Sequence, residues 1–385
     1  MSPLPDHVEH VQERAEAAND ATLAAELRLC MVSGVGPLMR KKLLERFGSA
    51  AGVFKAAPSE LREVDGVGPK LVREITAAER EIDVEKEIAF CREKQITLLL
   101  ESAAAYPRPL KDIHDPPGVL FVRGEVLPVD ALAVAIVGTR HATAYGLAQA
   151  ERLASGLAHA GYTIISGLAR GIDAAAHGGA MKAGGRTLAV LGSGVMEIYP
   201  PEHEQLAKQV MEHGAIISES HPLSPPLTGT FPQRNRIISG MSLGVIVVEA
   251  SDRSGALITA RHAMEQGREV FAVPGRVDSR NSRGCHKLIR DGAKLTETVD
   301  DVLEEFGPLV AAAPRDDGRE IRHPVELQLN EPETAVLTAI GTDPTSIDEV
   351  ISTSGLAVPQ VLSTISVLEM KRLIRRVSGN KVIRL

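Results

Sequence analysis

The sequence contains no tryptophan, and only seven phenylalanines and four tyrosines occur among its 385 residues. Proteins that hold single-stranded nucleic acid mainly by stacking need an aromatic side chain for most of the bases they cover. Extensive base stacking is therefore not expected. Any aromatic platform in this protein must be small.

Cysteine is equally scarce. Cys30, Cys91 and Cys285 are scattered, with no metal-site spacing and no basis for a disulfide framework. The chain does not open with a charged segment followed by an apolar one, and no apolar run is long enough to span a bilayer. We predict a cytoplasmic protein with no membrane contact and no bound metal.

A net positive charge is also missing, because 43 Lys and Arg stand against 50 Asp and Glu, giving a formal charge of −7. This balance excludes a generally basic, histone-like binder, so any contact with nucleic acid must use a local patch. Residues 228–294 supply one, with eleven Lys and Arg against six Asp and Glu. Residues 1–26 have the opposite bias, with six acids and one arginine.

Apolar residues make up 44% of the chain, enough for the cores of two or three domains. From residue 133 onward, short apolar runs alternate with helical patterns. The runs cover 133–140, 163–167, 187–193, 215–220, 244–250 and 269–275, and the helices cover 144–160, 172–183, 202–213, 233–242 and 256–267. This alternation predicts an α/β fold with an open, mostly parallel sheet, whose ligands bind beyond the carboxyl ends of the strands.

The predicted turns at those strand ends share one chemistry: glycines, hydroxyl groups and recurring arginines. Glycine gives access to backbone amides, hydroxyl groups donate to phosphate oxygens, and arginine offers a two-pronged donor. A polyphosphate or a nucleic-acid strand is the ligand that such turns fit. The candidate binding residues are Gly138, Thr139, Arg140, Ser166, Gly167, Arg170, Gly171, Gly192, Phe231, Arg234, Asn235, Arg236, Ser254 and Gly255.

Two common phosphate motifs are absent. The first turn, GTRHATAYG, lacks the glycines of a dinucleotide fingerprint, and no Walker A sequence occurs. We therefore expect no cofactor, and we assign no catalytic residue. His177 is predicted to be a packing histidine and Asp173 a helix cap. Phe231-Pro232 is predicted to be an extended lead into a helix.

An internal repeat precedes the sheet region. Gly34-Val-Gly-Pro37 and Gly66-Val-Gly-Pro69 each open an amphipathic helix, 32 residues apart. The pattern resembles tandem helix-hairpin-helix modules, whose free helix-end amides grip phosphates. The bases Lys41, Lys42, Arg46, Lys70 and Arg73 suit that role. The flanking acids favour the alternative, a protein-docking module.

The last part of the chain has three helical patterns, 331–340, 346–354 and 358–373, and a hairpin pattern at 375–385. Three helices and a hairpin predict a winged helix. Its third helix is apolar and barely basic before Lys371, whereas a helix that reads duplex DNA needs polar, donor-bearing side chains. Docking of a protein partner is favoured over duplex reading.

Five motifs in order resemble the DNA-processing protein A family (DprA, also called Smf). They are GTR at 138–140, SGLARGID at 166–173, FPQRNRIISGMS at 231–242, VVEASDRSGALITA at 247–260 and VFAVPG at 270–275. The resemblance implies a dimeric, non-enzymatic protein that binds single-stranded DNA through an extended Rossmann-like domain. It also implies that the protein protects incoming DNA and helps load RecA during natural transformation.

By the same resemblance, Arg140 contacts phosphate, Phe231 offers a stacking surface, and Arg170, Arg234 and Arg236 line the same groove. The implied domains are a disordered leader (1–21), a helix-hairpin-helix domain (22–82), the Rossmann-like domain (83–306), a linker (307–329) and a winged helix (330–385).

Two other functions remain open. A related Rossmann-like group hydrolyses nucleoside monophosphates with a P-G-G-x-G-T-x-x-E turn, and Glu249 could act as a general base here. However, the corresponding turn, RSGALITA, lacks both the PGG opening and the glutamate. The third possibility is a scaffold whose terminal modules recruit partners.

Overall fold

The computed structural model describes residues 21–306, 313–314, 320–321, 329–341, 344–371, 373–377 and 380–384. The predicted leader lies outside these residues except for Ala21, and so does most of the predicted linker.

The central element is a nine-stranded sheet. Its strands are β1 (Thr97–Leu100), β2 (Val119–Gly124), β3 (Ala133–Gly138), β4 (Thr163–Ser166), β5 (Thr187–Val190), β6 (Gly214–Ser218), β7 (Gly244–Val248), β8 (Glu269–Ala272) and β9 (Lys294–Leu295). They lie in the order β1-β2-β6-β5-β4-β3-β7-β8-β9. The strands from β6 to β9 pair in parallel, while β1 and β2 form an antiparallel edge. All six predicted strands are present, and the mostly parallel α/β sheet is confirmed.

Helices cover both faces of this sheet. Those that follow β1 are α7 (Arg108–Lys111), α8 (Ala144–His159), α9 (Ile172–Lys182), α10 (Glu204–His213), α11 (Thr230–Gly240), α12 (Ala256–Glu265), α13 (Arg283–Arg290) and α14 (Val299–Phe306). The apolar runs of the strands bury side chains against helices on either face, in two separate clusters. This two-sided burial explains why the strands are continuously apolar instead of alternating.

The strand order reverses at β3. The chain steps from β3 to β4, β5 and β6 in one direction and then returns to place β7 and β8 on the other side of β3. At such a reversal the connections diverge and leave a crevice beyond the strand ends. The crevice here lies above β3 and β7, where the predicted binding turns meet.

The N-terminal domain is helical. Its elements are α1 (residues 21–31), α2 (Pro37–Phe47), α3 (Ala50–Lys55), α4 (Pro58–Arg62) and α5 (Pro69–Glu81), and α6 (Val84–Glu93) leads into β1. The two repeats adopt the same turn, with φ of +91° at Gly34 and +90° at Gly66, as predicted for tandem hairpins. α5 and α6 are separate helices, because the chain breaks at Ile82 and Asp83 caps α6 by accepting from the Lys86 amide.

One buried ion-pair cluster joins the helical domain to the sheet domain. Arg40 of α2 is only 4% exposed, and its guanidinium pairs with Glu26 of α1 and with Glu101, just after β1. Because a buried guanidinium needs compensating charge, this contact fixes the first hairpin against the sheet.

The C-terminal domain contains α15 (Glu331–Thr338), α16 (Ile347–Ser354) and α17 (Val358–Met370). Within the predicted linker, β10 (Ala313–Pro314) pairs with β11 (Glu320–Ile321). In the C-terminal domain, β14 (Lys381–Arg384) pairs with both β12 (Thr345–Ser346) and β13 (Ile374–Val377). Three helices and this small sheet confirm the winged helix. No single helix of the described residues is long and apolar enough to cross a membrane; α16 and α17 reach that length only as a pair bent by 112°.

Candidate nucleic-acid interface

A cavity of about 510 Å³ lies above β3 and β7 at the point where the strand order reverses. We call this cavity the groove. Its walls come from the loop after β3, the loop before α9, the first turns of α11 and the start of α12. Eight of the fourteen predicted binding residues line it: Gly138, Thr139, Arg140, Phe231, Arg234, Asn235, Ser254 and Gly255.

Arg140 is the exposed cation of the groove. Its guanidinium carbon lies 5.4 Å from the centroid of the Phe231 ring, and within the described residues it forms no ion pair. A second ring extends this surface, since the centroids of Phe231 and Tyr199 are 5.6 Å apart. A cation beside an aromatic face can bind a phosphate and a base of the same nucleotide.

Arg234 has a different role, although it also lines the groove. It is only 5% exposed, and its Nη1 donates to the carbonyl oxygens of Gly167, at 2.9 Å, and Val190. These bonds join the loop after β4 to the end of β5. Burial lowers the pKa of Arg234 to about 10, partly opposed by the carboxylate of Asp173. The side chain is therefore charged at neutral pH and gives the floor of the groove a fixed positive charge.

Asp173 braces the same floor. Its Oδ2 accepts hydrogen bonds from the amides of Gly167, at 3.1 Å, and Ala169, at 3.3 Å. Burial raises the pKa of this carboxyl, and the neighbouring Arg234 guanidinium opposes the shift. The predicted capping role is therefore corrected: the N-cap position of α9 is Gly171, and Asp173 orders the loop before the helix.

Arg236 does not line the groove, contrary to the sequence-based expectation. It is 6% exposed, and it forms ion pairs with Asp115, at 2.9 Å, and Glu219, at 2.6 Å. Residues two apart in a helix point to nearly opposite sides, so Arg234 and Arg236 of α11 cannot share one cavity. The structure assigns Arg236 to the packing beside the helical domain.

Five other predicted residues also lie outside the lining. Arg170 is exposed but pairs with Glu202, and the Ser166 hydroxyl donates to the Ile136 carbonyl at 2.6 Å. The three glycines leave room for neighbours: an added Cβ would lie 2.6 Å from the Arg234 guanidinium at Gly167, 2.9 Å from the Phe231 ring at Gly192 and 2.4 Å from the Thr139 carbonyl at Gly171. They shape the groove and do not form its surface.

The remaining wall is polar. Nδ2 of Asn235 donates to the Gly255 carbonyl at 3.3 Å, which ties α11 to the start of α12.

Phe231 and Pro232 lie within the first turn of α11, which begins at Thr230, so the predicted extended lead is wrong. Proline fits a first helical turn because no intrahelical partner is lost there.

Sequence reasoning missed several residues that line the groove, including Tyr199, Thr228 and Ser251. Tyr199 has no local sequence signal, because only the fold brings it to Phe231. Among the described residues no cluster of His, Cys, Asp and Glu could hold a metal ion.

The protein-family model described as DNA recombination-mediator protein A matches residues 97–307, which is more than half of the chain. This chain belongs to the DNA recombination-mediator protein A family. Two further models match the flanking domains: a SAM-like helix-hairpin-helix tandem at residues 26–81 and a DprA winged helix domain at 322–380. The resemblance drawn from the five motifs is confirmed.

Family members of known sequence and structure agree with this assignment. Protein Smf of Synechocystis sp. is 34% identical over 381 residues, covering 90% of this chain and 95% of that protein. The X-ray structure of DNA processing protein A from Streptococcus pneumoniae aligns with a TM-score of 0.66 at 35% identity, over 73% of this chain and 97% of the other.

A third relative bears on ligands. The Helicobacter pylori DNA processing protein A, whose structure describes its single-stranded DNA binding mode, aligns with a TM-score of 0.50 at 29% identity. The alignment covers 55% of this chain and 95% of that chain.

In the present chain, the carboxylate of Glu249 is turned away from the groove. Its Oε2 accepts from the Thr143 amide at 2.8 Å and its Oε1 from the Thr143 hydroxyl at 2.5 Å. A general base must lie within reach of the reacting group, and this carboxylate does not line the groove. The arrangement gives no support to Glu249 as the base of a nucleotide hydrolase acting in the groove.

Proposed function

We propose that this protein binds single-stranded DNA in the groove as a recombination mediator. One observation carries the proposal: Arg140 presents an exposed guanidinium, free of ion pairs among the described residues, beside the Phe231 ring at the crevice of the sheet. Phosphate neutralisation and one stacking surface supply affinity without reading sequence. Membership of the family supports the same function.

The family supports three further parts of the proposal. We infer that the protein acts as a homodimer in the cytoplasm, protects incoming DNA, and helps load RecA onto it during natural transformation. Catalysis is not part of the proposal, and a nucleoside-monophosphate hydrolysis assay tests that omission. Turnover by the wild type that Glu249→Gln abolished would favour the enzyme instead.

The binding experiment compares the Arg140→Ala variant with the wild type on a fluorescent oligonucleotide across a series of salt concentrations. Losing one phosphate contact should weaken binding similarly for all sequences and reduce the slope of log K against log salt by about 0.7. Arg170→Ala is the matched control, because it removes an exposed arginine that is already paired with Glu202. Equal affinity of the Arg140→Ala variant and the wild type at low salt would contradict the proposed site.

A separate experiment addresses RecA. Wild-type protein should shorten the lag before RecA filaments form on a single strand, and the Arg140→Ala variant should shorten it less. An unchanged lag with wild-type protein that binds the strand normally would remove RecA loading from the proposal and leave strand binding in place.

A further inference from the structure

A second cavity, of about 690 Å³, lies on the other side of the loop that follows β3. We call it the second cavity. The residues that matter for its chemistry are Thr143, Ala144, Tyr145, Glu249, Pro274 and Arg276. None of them belongs to the groove, and no part of the proposed function uses them. The Arg276 guanidinium is ion-paired with Asp278, which leaves Glu249 as the unneutralised charge of the lining.

The two cavities are the two sides of one short loop, residues 139–143. Glu249 holds both of its ends: its backbone carbonyl accepts from the Thr139 amide at 2.8 Å, and its carboxylate accepts from Thr143. Nδ2 of Asn281 donates to the His141 carbonyl at 3.1 Å and fixes the middle of the loop. A strand bound at Arg140 in the groove has to cross only this loop to reach the second cavity.

The second cavity is built for a flat, apolar group with a donor edge. The Tyr145 ring forms one wall, and its hydroxyl donates to the Pro274 carbonyl at 2.8 Å, which fixes the ring. Ala144 and Pro274 add apolar surface. Glu249, only 6% exposed, contributes a carboxylate. Each of its oxygens already accepts one hydrogen bond from Thr143 and keeps a lone pair for a further donor, and neither oxygen can donate.

These properties match one class of nucleobase. An exocyclic amino group, as on cytosine or adenine, donates to a carboxylate, whereas thymine presents carbonyl oxygens at the corresponding edge. We propose that the second cavity receives one base of the strand held in the groove and favours a base that carries an exocyclic amino group. This inference rests on the proposed function, because the phosphate contact at Arg140 is what brings the base to high local concentration.

The test measures binding of fluorescent oligo-dC and oligo-dT at one salt concentration to the wild type and to Glu249→Gln. The wild type should prefer oligo-dC, and Glu249→Gln should reduce that preference by about tenfold, the effect of one hydrogen bond to a charged group. Comparing the two proteins removes the intrinsic difference between the two oligonucleotides. An unchanged preference would overturn the inference.

Tyr145→Ala provides a second measurement that does not depend on the buried carboxylate. Tyr145 is 47% exposed, so its truncation leaves the core intact; loss of the stacking wall should weaken binding of both oligonucleotides at least about fivefold. Leu147→Ala is the control, since Leu147 lies on the same helix, is 39% exposed and lines neither cavity. Equal affinities of the Tyr145→Ala and Leu147→Ala variants would overturn the inference.

Two further arms separate the possible failures. Free dCMP at the oligonucleotide concentration should not compete, and competition as strong as that of the oligonucleotide would show a mononucleotide site instead. Arg140→Ala should weaken oligo-dC and oligo-dT equally. If it does while Glu249→Gln changes no preference, only the base cavity is refuted; if Arg140→Ala changes neither affinity, the proposed function itself fails.

Discussion

Nη2 of Arg236 donates to Oε2 of Glu219 across 2.6 Å, and the same guanidinium reaches Asp115 at 2.9 Å. Nε and Nη2 of the guanidinium are therefore held by ion pairs within the packing, although the sequence motif suggested a DNA contact. Both carboxylates are partly buried, with side chains 25% and 33% exposed. Substituting Arg236 should therefore lower the stability of the protein, whereas substituting an arginine of the groove should lower its affinity for DNA.

We predict that Arg236→Met destabilises the sheet domain by about 3 kcal/mol, because it leaves two partly buried carboxylates without their cation. Urea unfolding measures this loss. The folded variant should bind single-stranded DNA within about twofold of the wild type, since no phosphate contact is removed. Normal stability with a large loss of affinity would return Arg236 to the binding surface.

The control for this prediction is Arg170→Ala. Its partner Glu202 is exposed and the pair is surrounded by solvent, so the variant should unfold like the wild type. A destabilisation equal to that of Arg236→Met would mean that burial is not the cause.

Sequence reasoning recovered the strands and the position of the groove because both depend on local patterns. A continuous apolar run such as 244–250 has few alternatives to a strand covered on both faces, and the carboxyl-end rule then places the turns. Which arginines remain free depends on acids distant in sequence. Asp115 and Glu202 come from separate elements, so no local pattern reveals the pairing.

The predicted conformation at the start of α11 was wrong for a different reason. Phe231-Pro232 was predicted to be extended because proline disfavours a helical residue before it, yet Phe231 is helical. Packing of the Phe231 ring against Gly192 and Tyr199 outweighs the local preference.

The domain limits stay predictions, although the three family models match within them or nearly so.

Gly192 should control the position of Phe231. An added Cβ would lie 2.9 Å from Cδ1 of the Phe231 ring, so Gly192→Ala forces the ring out of its place beside Arg140. We expect a reduction of about three- to tenfold in affinity for single-stranded DNA, part of one stacked base, with little change in the unfolding midpoint. Anisotropy titration and thermal unfolding measure the two effects.

Gly178 offers the matched glycine control. It lies within α9, and an added Cβ there meets nothing within 4 Å. Gly178→Ala should keep full DNA affinity and stabilise the protein by about 0.5–1 kcal/mol, because alanine is the better helix former. Reduced DNA affinity in both alanine variants would show that the effect of Gly192→Ala is not specific to Phe231.

His177 should make the protein sensitive to acid. The Thr187 hydroxyl donates to the Ile164 carbonyl, so His177 Nδ1, 2.7 Å from that hydroxyl, must donate. His177 Nε2 is buried without a hydrogen-bond partner, so it carries no proton and the imidazole is neutral. Burial lowers the pKa of His177 to about 3 from 6.5, with smaller effects of His203 and Arg234. The unfolded chain therefore binds the extra proton between about pH 6.5 and 3, and stability falls as the pH falls through this window.

We expect a loss of about 2 kcal/mol between pH 6.5 and 5 from this residue alone. Urea unfolding of the wild type and of His177→Gln at both pH values measures it. The glutamine variant should start less stable but lose less on acidification. Parallel losses in the two proteins would assign the acid sensitivity to other groups.

The first helical hairpin has cations that the second hairpin neutralises. Nζ of Lys42 lies 2.7 Å from Oδ2 of Asp65, and Nη2 of Arg46 lies 3.0 Å from Oε2 of Glu63. The Lys42 ammonium holds the pKa of the Asp65 carboxyl below its usual range. Two of the three cations proposed for the first hairpin are thus already compensated by acids of the second hairpin, which favours protein docking over a grip on phosphates.

Removing the acids that pair with Lys42 and Arg46 should allow the first helical hairpin to bind DNA phosphates. The double variant Glu63→Gln with Asp65→Asn should bind duplex DNA more tightly than the wild type at low salt, with a slope of log K against log salt larger by up to about 1.8, because two more phosphates can be neutralised. Glu74→Gln with Glu79→Gln on α5 is the control, since it changes the net charge equally but releases no cation that is ion-paired within the described residues. If both double variants gain equal affinity, net charge alone explains the result; a gain specific to the first variant shows that its own acids keep the wild-type hairpin from gripping DNA.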